Sequence, residues 1–154
     1  MAPLDRPAGE NPYHLQMEIQ EAMTKHAPIV RDAAGMEEGL EKILALGART
    51  KACGTGGART LAFNPGWHTA TDLHSMLVNA EALLRSALER KESRGAHARS
   101  DYPKLDDGLG AVNFIVERTA DGMAVKAERR PPMPAHLEET VRHSYARYTP
   151  EERE

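Results

Sequence analysis

One cysteine, one tryptophan and two phenylalanines stand in 154 residues. The lone Cys53 excludes an internal disulfide framework and any cysteine-based zinc or iron–sulfur site within the chain. Aromatic residues make up only 5% of the sequence, so a core has to come from aliphatic side chains packed on helices. No apolar run reaches the roughly 18 residues of a membrane span, and no basic segment followed by an apolar core opens the chain. An excess of one charge is also missing. Lys and Arg number 20 against 23 Asp and Glu, a net charge of -3, so composition does not point to a nucleic-acid partner. The expectation is one soluble, cytoplasmic domain with no nucleic-acid binding and no direct membrane insertion.

What is present is helical periodicity. The strongest stretch runs from Asp72 to Asp101, where Leu73, Met76, Leu77, Ala80, Leu83, Leu84, Ala87 and Leu88 form one apolar stripe. Thr71 or Asp72 can cap its start, and Gly95 suits the position just past its end. A first helix is expected from about Asn11 to Lys25, with Asn11 as cap, Pro12 in the first turn, and Leu15, Ile19, Ala22 and Met23 inward. A second runs from Met36 to about Ala48 with Met36, Leu40, Ile43, Leu44 and Gly47 inward. Between it and the long helix, Lys51 to Gly66 reads as a loop. From Ala111 to Arg129 the period changes to alternation around Asp121-Gly122, a β-hairpin signal. The organisation is therefore a disordered lead over 1–10, a helical bundle over 11–108, a hairpin extension over 109–132, and a polar tail over 133–154. Leu137, Val141 and Tyr145 give that tail a short helix from Ala135 to Tyr148.

Several patterns resemble sites and fail on context. The glycines of Gly54 to Arg59 lack the preceding strand and following helix of a dinucleotide fingerprint, and no Walker lysine follows, so the segment reads as a flexible loop. The histidines His14, His26, His68, His74, His97, His136 and His143 show no zinc-hydrolase spacing. Ser93-Arg94-Gly95 has none of the strand–turn–helix setting of a nucleophile elbow. Cys53 has only Lys51 nearby to lower its pKa and reads as inert. No metal site, catalytic residue or cofactor-binding residue is expected on this chain.

The cluster from Arg90 to Asp101 is denser in bonding groups than a helix end requires. It fits either a helix C-terminus dressed in surface ion pairs, each worth little, or a polar network buried against another surface. Arg90-Lys91-Glu92-Ser93-Arg94-Gly95-Ala96-His97-Ala98-Arg99-Ser100-Asp101-Tyr102-Pro103 resembles the R-x-E-S-R-G-A-H-x-R-x-D-[YF]-P signature of succinate dehydrogenase and fumarate reductase flavoprotein subunits, with L-aspartate oxidase a close relative. Leu15-Gln16 with Ile29-Val30-Arg31, the second helix, Asp72 to Glu81, and Val112 to Pro131 resemble that family in the same order. The resemblance covers Tyr13 to Pro132. Ala27-Pro28 and the Cys53 loop depart from the family pattern.

The resemblance implies a mainly α fold, a three-helix up-and-down (spectrin-repeat-like) bundle with a small C-terminal β-hairpin. It implies the C-terminal domain, or a split subunit, of an enzyme exchanging hydride between FAD and a dicarboxylate. The family's flavin and substrate residues lie upstream of the matched segment, so none is carried over here. The implied partners are a flavin-binding and capping domain or subunit, and an iron–sulfur subunit of a membrane-bound complex, with peripheral membrane association through it. Arg31, Glu92, Arg94, His97, Arg99 and Asp101 are expected to form the polar network that holds the bundle to the flavin-bearing partner. The alternatives are a non-catalytic interaction or assembly module derived from that domain, and part of an L-aspartate oxidase-like enzyme.

Overall fold

The computed structural model describes residues 3–120 and 122–146. Helix α1 spans Pro12–His26, capped by the Asn11 side chain, which accepts from the Tyr13 N–H. A two-residue strand β1, Val30–Arg31, leads into α2, Ala33–Thr50, capped by Asp32. The long helix α3 runs Pro65–Glu89, and a second short strand β2, Ala98–Arg99, pairs in parallel with β1. After the single turn α4, Asp107–Gly110, come β3, Val112–Thr119, and β4, Gly122–Arg129, then α5, Ala135–Ala146.

Helices α1, α2 and α3 each pack on the other two, which is the expected three-helix bundle. Directions follow from side-chain contacts. Arg49 near the end of α2 binds Glu10 and Glu18 near the start of α1, so α1 and α2 are antiparallel. Leu15, Ile19, Ala22, Met36, Ile43, Leu46, Leu73, Leu77, Ala80, Leu84 and Ala87 are buried as one cluster. Burial of these aliphatic faces supplies the main driving force for a fold so poor in aromatics. Gly39 permits the close approach of α1 and α2, because a Cβ there would sit 2.5 Å from the His26 Cβ. Strands β3 and β4 pair antiparallel from Val112 opposite Arg129 to Thr119 opposite Gly122, and both touch α3. Among the described residues no helix is long and apolar enough to cross a membrane.

Four expectations differ from the structure. The long helix starts at Pro65, not near Asp72: Asn64 is its cap and accepts from the Trp67 N–H, so Asn64-Pro65 repeats the Asn11-Pro12 start. It ends at Glu89, and Gly95 instead turns a tight reversal in which Arg94 and His97 exchange N–H···O bonds of 2.8 and 3.0 Å. Leu46 is buried where Leu44 was expected inward, since Met36, Gly39, Ile43 and Leu46 define the inner face of α2 and Leu44 lies off it. Residues 3–10 are held by main-chain bonds rather than free. The Glu10 N–H donates to the Ala52 carbonyl, and the Gly54 and Gly57 N–H groups donate to the Glu10 and Pro7 carbonyls. In the tail, α5 is described over Ala135–Ala146, and the expected helix end at Tyr148 lies outside the described residues.

Candidate functional site

The segment from Arg90 to Asp106 folds back across the end of α3 and gathers the expected network residues. At its centre lies Arg99, buried beneath the last turn of α3. The Arg99 guanidinium donates to the Ala87 and Leu88 carbonyls at 2.9 and 3.2 Å and to the Arg90 carbonyl at 3.3 Å. These are acceptors that every helix leaves open at its C-terminus, and a cation there also suits the helix dipole. The same guanidinium holds Asp101 in a two-bond fork and stacks 4.9 Å from the centre of the Tyr102 ring. Asp101 in turn accepts the Ala33 N–H at 3.0 Å, at the start of α2.

A second centre is Glu92, which is 0% exposed. Its carboxylate accepts from Arg90 at 2.5 Å, from Arg94 at 3.0 Å, and from the Asp106 N–H at 2.9 Å. The Arg94 bond holds the Glu92 pKa down at about 2 against the opposing effect of burial, with the Asp106 N–H and Arg90 contributing further. Arg90 then reaches the Leu109 and Val112 carbonyls at 3.1 and 3.2 Å and lies 4.7 Å from the centre of the Phe114 ring, tying the hairpin to the bundle. Arg94 lies across Gly110, where an added Cβ would strike its guanidinium, and donates to the Asp106 carbonyl at 3.1 Å.

His97 donates from Nε2 to the Arg90 carbonyl at 3.0 Å. Burial lowers its pKa, the Arg90 carbonyl opposes this, and the charges of Arg31, Arg99 and Arg90 lower it further, all of which favours the neutral ring except the carbonyl bond. Arg31 is brought beside Arg99 by the pairing of β1 with β2. All six expected residues therefore come together, and Glu92, Arg94, His97, Arg99 and Asp101 form bonds within this chain. Sequence reasoning did not place Arg90, Ser93 and Tyr102 in the network, although all three stand inside the signature. Ser93 Oγ donates to the Tyr102 carbonyl at 2.9 Å and accepts the Arg99 N–H at 2.8 Å, which pins the turn.

Among the described residues the loop from Gly54 to Arg59 is closed against a phosphate. The amides of Gly54 and Gly57, the groups a phosphate would require, are committed to carbonyls of Glu10 and Pro7. The residues present do not fit a flavin diphosphate. Cys53 is buried, and that burial, with Glu10 adding to it, raises its thiol pKa. Among the described residues, no three His, Cys, Asp or Glu side chains meet to hold a metal ion.

A family model described as "Fumarate reductase flavoprotein C-term" matches residues 16–154. The fumarate reductase flavoprotein subunit of Mycobacterium tuberculosis is 34% identical over 115 residues, which is 74% of this chain and 19% of that protein. The succinate dehydrogenase flavoprotein subunit of Coxiella burnetii is 37% identical over 99 residues, 64% of this chain and 16% of that protein. Among solved structures, Mycobacterium smegmatis Sdh1 in complex with UQ1 superposes with a TM-score of 0.82 at 34% identity, over 99% of this chain and 26% of that one. The chain thus spans less than a fifth of these curated relatives. The signature that folds across α3, the three-helix bundle and the match over nearly the whole sequence agree: this chain belongs to the fumarate reductase flavoprotein C-terminal family.

Proposed function

We propose that this chain is the C-terminal helical domain, or a split subunit, of a FAD-dependent oxidoreductase of the succinate dehydrogenase and fumarate reductase type. In that reading it supports the flavin-binding and capping domains and contributes no reacting group. The observation that carries it is the likeness to Mycobacterium smegmatis Sdh1 across hairpin and bundle alike, together with a signature whose Arg99 and Glu92 are committed to bonds within the domain. FAD belongs to the flavin-bearing part, which fits the closed glycine loop of this chain. An iron–sulfur subunit and peripheral attachment to a membrane complete the assembly. The face that carries Arg31, Glu92, Arg94, His97, Arg99 and Asp101 meets the flavin-bearing part, the buried members setting its shape and the more exposed ones touching it.

The test is affinity capture of the tagged chain from its native cells, with an absorbance spectrum and a succinate- or fumarate-linked activity assay on the eluate. Co-elution of a flavin-containing protein with that activity supports the reading. A colourless chain that elutes alone at every salt concentration contradicts it and favours a free-standing module.

A further inference from the structure

The cations around the end of α3 are unequally matched. Arg99 has Asp101, Arg90 and Arg94 share Glu92, and Arg94 also lies near Asp106 and Asp107. Arg31 differs. Its Nε–H is buried without an acceptor, and among the described residues no carboxylate pairs with it. The two acidic side chains beside it are already engaged: Asp32 caps α2 through the Gly35 N–H, and Asp101 holds Arg99 and the Ala33 N–H. Burial and the neighbouring Arg99 charge both act against the Arg31 cation. Among the described residues no acceptor offsets the desolvation cost of its Nε–H.

The surface next to it is apolar and open. Ile29 and Val30, the residues leading into Arg31, are 68% and 62% exposed. A half-buried guanidinium edged by exposed aliphatic side chains is a recognition element for a carboxylate, because its planar fork donates to two oxygens and the aliphatic rim would exclude water around the pair. The curated relatives carry about four-fifths of their length outside the part this chain matches, ample chain to supply that group.

We propose that Arg31, rimmed by Ile29 and Val30, is the receptor for an aspartate or glutamate side chain on the flavin-bearing part of the same enzyme. This rests on the functional reading above and names one residue pair within that contact. The buried members of the network set β1 at the right height, through Val30 opposite Ala98 and Arg31 opposite Arg99.

The experiment compares the tagged wild-type chain with Arg31→Met and Arg31→Lys variants, measuring thermal unfolding and capture of the flavoprotein. Arg31→Met removes an unmatched charge, so its unfolding temperature stays equal or rises, while capture weakens by about 30-fold or more. Arg31→Lys retains part of the binding, and a zero-length carbodiimide joins the new amine to an acidic residue, identified by mass spectrometry of the joined peptide. Undiminished capture by Arg31→Met overturns the proposal and leaves the functional reading standing. So does an unfolding temperature that falls in step with capture, or an Arg31→Lys complex that joins no acidic residue at position 31. A wild-type chain that captures no flavoprotein overturns both.

Discussion

The Arg99 guanidinium holds the Asp101 carboxylate through bonds of 2.7 and 2.6 Å, and each residue also binds the end of a different helix. Arg99 meets the carbonyls at the C-terminus of α3, and Asp101 meets an N–H at the N-terminus of α2. One ion pair thus places a cation at a negative helix end and an anion at a positive one, and fixes two antiparallel helices in register. The arrangement is a clasp closed within the domain.

Arg99→Met leaves Asp101 without its cation and the Ala87 and Leu88 carbonyls without their side-chain donor, while the Arg90 carbonyl keeps His97. It is expected to cost about 3 kcal/mol in urea unfolding. Asp101→Asn, at a more exposed site, is expected to cost about 1 kcal/mol. The double variant should lose less than the sum, because each single change removes the same bond.

Acid should open the network in a defined order. Glu92 has a pKa of about 2 in the folded chain against an ordinary 4.5, and the Arg99 bond holds Asp101 below the ordinary carboxylate range too. The unfolded chain therefore binds protons first as pH falls. The stability these groups contribute is complete above about pH 5 and is lost as pH drops from there toward the folded values. Glu92→Gln is expected to be less stable at neutral pH, with a flatter decline in acid. Urea midpoints measured at intervals down to about pH 3 check both features.

His97 has the same sign at higher pH. Its folded pKa lies below the ordinary 6.5, so the unfolded chain protonates first when pH falls through that value. Stability rises with pH across the window just below 6.5 and levels off above about pH 7. His97→Gln keeps a donor in reach of the Arg90 carbonyl and should flatten that slope. An unchanged slope would assign the dependence to another histidine.

Two glycines of α2 should respond in opposite directions. A Cβ at Gly47 meets nothing within 4 Å, so Gly47→Ala is expected to stabilise the chain by about 0.5–1 kcal/mol through helix propensity alone. At Gly39 the same change strikes the buried His26 and is expected to destabilise by about 1–3 kcal/mol. Thermal unfolding of the two variants side by side makes the comparison.

The bundle was legible because Leu15, Ile19, Leu73, Leu77 and Leu84 recur at the period that buries them. The start of α3 was not, because Asn64-Pro65-Gly66 has the composition of a turn, and only the Asn64 bond to the Trp67 N–H makes it a cap. The signature itself was visible, and its resemblance gave the family. Its internal wiring was hidden, since Arg99 and Arg90 donate mainly to main-chain carbonyls, which leave no side-chain pattern to read. The anchoring of residues 3–10 escaped for the same reason: Glu10 meets Ala52 and Gly54 through backbone groups alone.

Amide hydrogen exchange on the free chain tests the closed clasp most directly, over Glu92 to Asp106. The Ser93 N–H donates to the Lys104 carbonyl, the Arg99 N–H to Ser93 Oγ, and the Asp106 N–H to Glu92, all without help from another chain. The account predicts that these amides are protected in the isolated chain to nearly the level of those in the middle of α3. Rapid exchange of all three in the free chain, slowed only when a flavin-bearing partner is added, would contradict it and make the network an interface that forms on assembly.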